Sequence, residues 1–122
     1  MVSDPPASGY LEAFDAIAAT PRILLAVAED ASGAVVGTLQ MTFIAGLSNQ
    51  GAELALVSAV RVGSALRGQG LGETMMLWAM AEARRRGCRH MELFTHGSRT
   101  AAQRFYERLG FAKSHAGMRR PL

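Results

Sequence analysis

The segment from Val60 to Gly72 constrains this chain more than any other, because it ends in Arg67 and three closely spaced glycines, Gly68, Gly70 and Gly72. An apolar run typical of a strand precedes the glycines, and an amphipathic run typical of a helix follows them. We therefore predict a strand-to-helix turn. Such a turn leaves backbone N–H groups without helical partners, and the helix dipole adds partial positive charge there. Glycine lets a ligand approach closely, so the turn favours a phosphate or pyrophosphate; an ordinary glycine-rich turn is the alternative.

Two common phosphate-binding loops do not match this segment. A P-loop requires a lysine directly after its last glycine, whereas Lys113 is the only lysine of the chain. A dinucleotide-binding loop requires a third glycine three residues after the second, but Gly72 follows Gly70 by only two. That loop also usually follows the first strand of its domain, and the present turn lies past the middle of the chain.

The pattern Arg67-x-x-Gly70-x-Gly72 on such a turn resembles the coenzyme A pyrophosphate loop of the GNAT N-acetyltransferase superfamily. A second match lies downstream, where the segment 98–111 is similar to that family's closing helix and ends in the typical Tyr-x-x-x-Gly-Phe block. Two motifs in the expected order are more specific than either alone. The resemblance implies one α/β (α+β) domain over residues 1–122, with a mixed, mostly antiparallel sheet flanked by helices.

Hydrophobic periodicity predicts the element order αβββαβαβ, with or without one more strand at the end. The first two strands are expected to form an antiparallel hairpin around the turn signal Asp30 to Gly33. The predicted helices are Tyr10–Ala19, Gly70–Arg86 and Ser98–Leu109. The predicted strands are Ile23–Ala28, Val35–Phe43, Glu53–Val62, His90–Thr95, Phe111–His115 and the optional Met118–Leu122. The apolar face predicted for the second helix comprises Met75, Met76, Trp78, Ala79, Met80 and Ala83.

The resemblance implies transfer of the acetyl group of acetyl-coenzyme A to a primary amine of an unidentified small-molecule or peptide acceptor by direct attack. The end of the third strand would bind the pantetheine arm through its backbone, and a free amide there would stabilise the oxyanion that forms. Amides of the glycine turn would hold the pyrophosphate, with arginine adding charge. The cofactor-binding residues implied in this way are Val60, Arg61, Val62, Arg67, Gly68, Gln69, Gly70, Leu71, Gly72 and Arg99.

The resemblance also implies a catalytic residue and shows two departures from the family. Tyr106 matches the usual general acid, which protonates the leaving thiolate; the alternative is a core aromatic beside Phe105. Many members carry a Glu as base where this chain has Ser58, and a neutral hydroxyl cannot take a proton from an ammonium as a carboxylate can. Glu53 has the opposite parity on the same strand, so no general base is assigned. Arg99 stands where the family often has Asn.

Composition bounds the remaining function classes. The net charge of +3 is carried almost wholly by arginine, and Arg84 to Arg86 complement a helix dipole, so nucleic acid binding is not expected. No apolar run approaches the roughly 18 residues of a membrane helix, and we see no secretory signal, so no membrane partner is expected. The lone Cys88 favours the cytoplasm. No metal site is predicted, since metal-ligand spacing is lacking among His90, His96 and His115.

The family usually begins with one more strand and helix than this chain has before Tyr10. We interpret the chain either as a truncated member or as one in which a neighbouring chain supplies that layer. An uncovered sheet edge favours pairing between chains, so a homodimer is expected. Ser58 and the shorter N-terminal part support an alternative function, a coenzyme A-binding module with little or no catalysis.

Overall fold

The computed structural model describes residues 8–122, apart from the side chains of Ser8, Ser48 and Asn49. Contacts divide the chain into two units, the first reaching Glu92 and the second running Leu93–Leu122. The first unit holds the glycine turn and most of the sheet. The second unit holds the segment with the Tyr-x-x-x-Gly-Phe block.

Residues 8–122 form three α-helices and a four-stranded sheet, in agreement with the predicted α/β class. The strand order is β1-β2-β3-β4, and both β1–β2 and β2–β3 are antiparallel, so the predicted hairpin is confirmed. Short 3₁₀ turns lie at Ser48–Gly51 and Ser64–Leu66. The elements are α1 Ser8–Ala19, β1 Ile23–Glu29, β2 Val35–Ile44, β3 Leu54–Val62, α2 Leu71–Arg85, β4 Met91–Leu93 and α3 Thr100–Arg108.

The hairpin turn between β1 and β2 is held by Asp30. Its carboxylate Oδ1 accepts hydrogen bonds from the amides of Ser32 at 2.9 Å and Ala34 at 3.1 Å, and from the Ser32 hydroxyl at 2.6 Å. The Ser32 hydroxyl bond and these amides favour the ionised form, so they lower the pKa of Asp30. An Asx-type turn of this kind explains why the Asp-x-Ser-Gly sequence ends one strand and starts the next.

The core of the first unit lies between α2 and one face of the sheet. Alternate residues of β2 point to that face, and a Cβ placed on Gly37 would lie 2.7 Å from the sulfur of Met75, so α2 packs very closely there. Trp78 departs from the predicted apolar face of α2, because its side chain is 47% exposed. The buried apolar residues are Leu39, Met41, Phe43, Ala55, Val57, Met75, Met76, Ala79 and Ala83.

No strand follows α3, so the strands predicted at Phe111–His115 and Met118–Leu122 are wrong. Phe111 is half-buried, but every residue from Ala112 to Leu122 is exposed. The segment carries too few apolar residues at alternate positions to bury one face of a strand, and a strand without such a face gains little from pairing. Within residues 8–122, no helix has the length and apolar character needed to cross a membrane.

Candidate active site

The predicted glycine turn is present between β3 and α2. Gly68 has φ +79° and Gly70 has φ +82°, both in the left-handed region that costs an L-residue roughly 1–2 kcal/mol. Gly70 is the N-cap of α2 and supplies no side chain to bond the first turn of that helix. Space around both glycines is open, since a Cβ on either one would meet nothing within 4 Å. The glycines are therefore explained by backbone conformation and by exposure, rather than by close packing.

The backbone amides of the turn are only partly used by the protein. The amide of Gln69 donates to the carbonyl of Leu66 at 3.3 Å, so this one of the four predicted pyrophosphate donors is already bonded. The Gly70 carbonyl accepts the first bond of α2, from the amide of Thr74 at 3.1 Å. No acceptor among the described residues bonds the amides that follow Gln69 and open α2, which are those of Gly70, Leu71 and Gly72.

Two arginines lie near the turn without a carboxylate partner. Arg67 Nε donates to the carbonyl of Val62 at 3.4 Å, and Arg61 Nη1 donates to the carbonyl of Val60 at 3.1 Å. Both side chains are exposed, and across residues 8–122 neither forms an ion pair. Unpaired guanidinium groups beside open amides give this end of β3 a positive field, which suits an anionic ligand.

A β-bulge interrupts β3 just before this end. The pairing with β2 shifts between Thr38–Arg61 and Gln40–Ser58, and Ala59 takes φ +52°. Past the bulge, the Gly63 amide donates to the Val36 carbonyl at 2.8 Å. Antiparallel bonds alternate along a strand, so the Val62 amide points away from β2. This geometry supplies an outward-facing amide of the kind expected near Val60 to Val62.

The structure places the Glu53 carboxylate away from the bulge, where a general base would be needed. Glu53 Oε2 accepts from Arg22 Nε at 2.8 Å, just before β3 begins, so this carboxylate is engaged at the opposite end of the strand from the glycine turn. Ser58 pairs with Gln40 across the sheet. Neither residue brings a carboxylate to the bulge.

The remaining predicted residues lie in the second unit. Tyr106 is a half-buried residue of α3, and its ring meets those of Phe105 and Phe111 edge-on at centroid distances of 5.1 Å and 5.9 Å. Arg99 is the exposed N-cap of α3. His96, the histidine nearest this segment, shares a hydrogen bond of 2.8 Å between its Nδ1 and the Ser98 hydroxyl. The part of the chain that the structure describes contains no group of three or more potential metal ligands.

These features, a glycine turn before α2 and a bulged strand leading into it, can be compared with known proteins. The sequence model of the Acetyltransferase (GNAT) family matches residues 2–111. The chain therefore belongs to this family of N-acetyltransferases, and the resemblance inferred from the two motifs is confirmed.

Two curated proteins match shorter stretches of the chain. A mycothiol acetyltransferase of Rhodococcus erythropolis is 41% identical over 66 residues, which are 54% of this chain and 22% of that protein. An aminoalkylphosphonate N-acetyltransferase of Salmonella typhimurium is 44% identical over 50 residues, which are 41% of this chain and 32% of that protein. The matched stretches thus span less than a third of either relative.

Solved structures share the fold over nearly the whole chain. A transcriptional regulator from Bacillus halodurans C-125 has a TM-score of 0.90 and 40% identity, covering 95% of this chain and 77% of that one. A putative acetyltransferase from Agrobacterium tumefaciens has a TM-score of 0.87 and 27% identity, covering 98% of this chain and 84% of that one.

Proposed function

We propose that this chain is an N-acetyltransferase that moves the acetyl group of acetyl-coenzyme A to a primary amine. The observation that carries the proposal is the turn at Gly68 to Gly72, where open amides and the unpaired Arg67 precede α2 in a chain of this family. The family match spans both units, which supports treating residues 1–122 as one acetyltransferase domain.

Binding of the donor uses the backbone more than the side chains. Amides of Gly70, Leu71 and Gly72 bond the pyrophosphate oxygens, and Arg67 adds a charge-assisted bond. The end of β3 bonds the pantetheine arm through its outward-facing backbone. Arg61 and Arg67 now donate to two carbonyls of that edge, so they release these carbonyls when the arm binds. Gln69 contributes through its side chain or by opening its bond to Leu66. Arg99 is proposed as a further phosphate or pantetheine contact.

Chemistry then requires one bond to form and one to break. Bound acetyl-coenzyme A supplies the thioester; the amine nitrogen attacks its carbonyl carbon, the C–S bond breaks, and the nitrogen loses a proton. The Val62 amide, directed away from β2, donates to the oxyanion, an interaction worth roughly 3 kcal/mol where geometry is favourable. Tyr106 delivers a proton to the departing thiolate. Because no carboxylate replaces the Glu expected at Ser58, the amine proton leaves through water.

Substitution of Tyr106 tests the acid role. Tyr106→Phe keeps the ring that packs on Phe105 and Phe111 and removes only the hydroxyl. We expect turnover to fall by about 10²-fold, the lower end for loss of one general acid, while the KM for acetyl-coenzyme A stays within about twofold. Thiol release measured across pH provides the readout. Unchanged turnover at every pH would show that Tyr106 is a packing residue.

A coenzyme A-binding module with little catalysis is the second candidate, and Ser58 in place of a carboxylate favours it. Calorimetry with acetyl-coenzyme A, followed by thiol release over a panel of amines, separates the two. Binding with release supports the enzyme, and binding without release across the panel supports the module. Absence of binding contradicts both.

Assembly and compartment are proposed on separate grounds. β1 lies at the edge of the sheet, and Leu25 and Val27 on it are exposed, so we propose a homodimer that pairs this strand or covers it. Light scattering that gives a monomer mass at micromolar concentration would contradict it. Cys88 is unpaired, and burial raises the pKa of its thiol; an unreactive free thiol fits a reducing cytoplasm.

A further inference from the structure

The face of the sheet opposite α2 carries a polar cluster beside the bulge. Thr38 pairs with Arg61, and Gln40 pairs with Ser58, so both pairs place their side chains on one face. Thr38 and Gln40 are two residues apart on β2, which puts all four on the same face. The neighbouring pairs Met41–Val57 and Gly37–Val62 belong to the face that packs on α2.

Arg61 reaches this cluster only because of the bulge. In a regular strand, Arg61 would share a face with Ala55 and Val57, which are buried under α2. The extra residue at Ala59 reverses the alternation and turns Arg61 to the opposite face, next to Thr38. The left-handed conformation of Ala59 is strained for a residue with a side chain, and strained backbone positions concentrate at functional sites.

The cluster of Thr38, Gln40, Ser58 and Arg61 contains one positive charge and no negative charge. Arg61 is exposed, and the only hydrogen bond of its guanidinium group in the described structure is to the carbonyl of Val60 on its own strand. Its neighbours Thr38, Gln40 and Ser58 are half-buried, uncharged side chains that can donate hydrogen bonds. Arg22, which is also exposed, differs because it is paired with Glu53 at 2.8 Å. An unpaired guanidinium among neutral donors attracts an anionic group and repels an ammonium.

We propose that the acceptor is an amine that also carries a phosphonate, phosphate or carboxylate group, and that Arg61 binds this acidic group. The inference rests on the proposed acetyltransferase function and names its substrate class. Arg61 forms a two-pronged hydrogen bond to the acid oxygens, and Thr38 and Gln40 bond the remaining oxygens. The acid thereby neutralises the cation that would otherwise repel the amine from the bulge. Arg61 acts as a specificity residue and takes no part in proton transfer.

The test compares 3-aminopropylphosphonate with propylamine, two primary amines with the same three-carbon chain, by thiol release at saturating acetyl-coenzyme A. The intact protein should prefer the phosphonate by at least tenfold in kcat/KM. Arg61→Gln should remove that preference, through a rise in the KM for the phosphonate that clearly exceeds any change in the KM for acetyl-coenzyme A. Arg84→Gln, which removes an exposed charge at the far end of α2, is the matched control and should keep the preference.

Equal use of both amines by the intact protein, or a preference that survives Arg61→Gln, would overturn the inference while the acetyltransferase function stands. A raised KM for acetyl-coenzyme A alone would also overturn it, because Arg61 would then bind the donor. If neither amine releases thiol, the amine panel decides the proposed function, and binding of 3-aminopropylphosphonate to the coenzyme A complex, followed by NMR, decides the acid-binding role. Binding that Arg61→Gln abolishes supports the acid-binding role, and binding that is absent or unaffected overturns it.

Discussion

The two ends of α2 differ in how the protein treats its own polar groups. At the C-terminal end, the amides of Gly87 and Cys88 bond the carbonyls of Arg84 and Ala83 at 3.0 Å each, which closes the last turn. Gly87 takes φ +84° to make this possible.

Two of the three consecutive arginines at that end form ion pairs. Arg85 and Arg86 both bond the carboxylate of Glu82, at 2.5 Å and 3.1 Å, and the Arg86 guanidinium lies 4.1 Å from the centre of the Phe43 ring. Hydrogen bonds from these two arginines lower the pKa of Glu82 to about 2.

The N-terminal end of α2 also has a left-handed glycine, but its backbone amides are not bonded within residues 8–122 of the protein. Gly70 has φ +82°, nearly the value at Gly87, yet in the described structure no acceptor bonds the amides that open the helix. Arg67 has no carboxylate partner there either, although the first-turn residue Glu73 supplies one nearby. Glycine and arginine alone therefore do not mark a site. The N-terminal end is marked because, among the described residues, open backbone amides and an arginine without an ion pair occur there together.

The largest expected effect comes from one substitution made at both ends. Gly70→Ala and Gly87→Ala force an alanine into the same left-handed conformation with open space around it, so each should cost about 1 kcal/mol of unfolding free energy. Only Gly70→Ala should also weaken acetyl-coenzyme A, by about tenfold, since its methyl group and backbone strain disturb the open amides. Thermal melts and calorimetry measure both quantities. Equal losses of affinity would remove the distinction between the two ends.

A smaller effect is expected from removing charge at each end. Arg67→Gln should weaken acetyl-coenzyme A about fivefold, because it removes a charge-assisted bond that solvent partly screens. The loss should shrink as salt rises. Arg84→Gln, at the closed end, should leave affinity unchanged. Titration calorimetry at low and high salt checks this, and a loss that is independent of salt would argue for a packing role of Arg67.

Acid titration tests the ion pairs of Glu82 at the C-terminal end of α2. The folded pKa of Glu82 is about 2, below the ordinary value of 4.5, so its ion pairs stabilise the fold above pH about 4.5 and lose that contribution as pH falls toward 2. Glu82→Gln should lower the Tm at pH 7 and flatten its dependence on pH within that window. Melting curves from pH 7 to pH 2 provide the comparison. An unchanged pH dependence would mean that Arg85 and Arg86 do not hold Glu82 in solution.

The smallest effect is expected from the acidic residue at the open end. Glu73 is exposed in the first turn of α2. Its negative charge interacts favourably with the helix dipole there but repels a bound phosphate. Glu73→Gln should tighten acetyl-coenzyme A by about twofold and lower stability by about 0.3 kcal/mol. Weaker binding would show that Glu73 helps the ligand, and would contradict the electrostatic account of this end.

The residue types predicted the ends of α2 but not the geometry of the preceding strand β3. The predicted helix Gly70–Arg86 differs from α2 by one residue at each end, because left-handed glycines, which break a helical run, stand at or beside both of its ends. The bulge at Ala59 was not foreseeable, since alanine carries no preference for φ +52° and tertiary pairing imposes it. The face containing Arg61 was therefore hidden from the sequence. Hydrophobic periodicity also placed Trp78 on the buried face of α2, but Trp78 is exposed. The spacing of apolar residues gives the direction of the buried face of a helix but not its width.

The most direct test of the central claim is a protein NMR titration with coenzyme A that follows the backbone amides at both ends of α2. The account predicts large downfield amide-proton shifts for Gly70, Leu71 and Gly72, consistent with new bonds to phosphate oxygens, and none for Gly87. Saturable binding of coenzyme A that leaves those three amides unshifted would contradict it, because the diphosphate would then be held elsewhere.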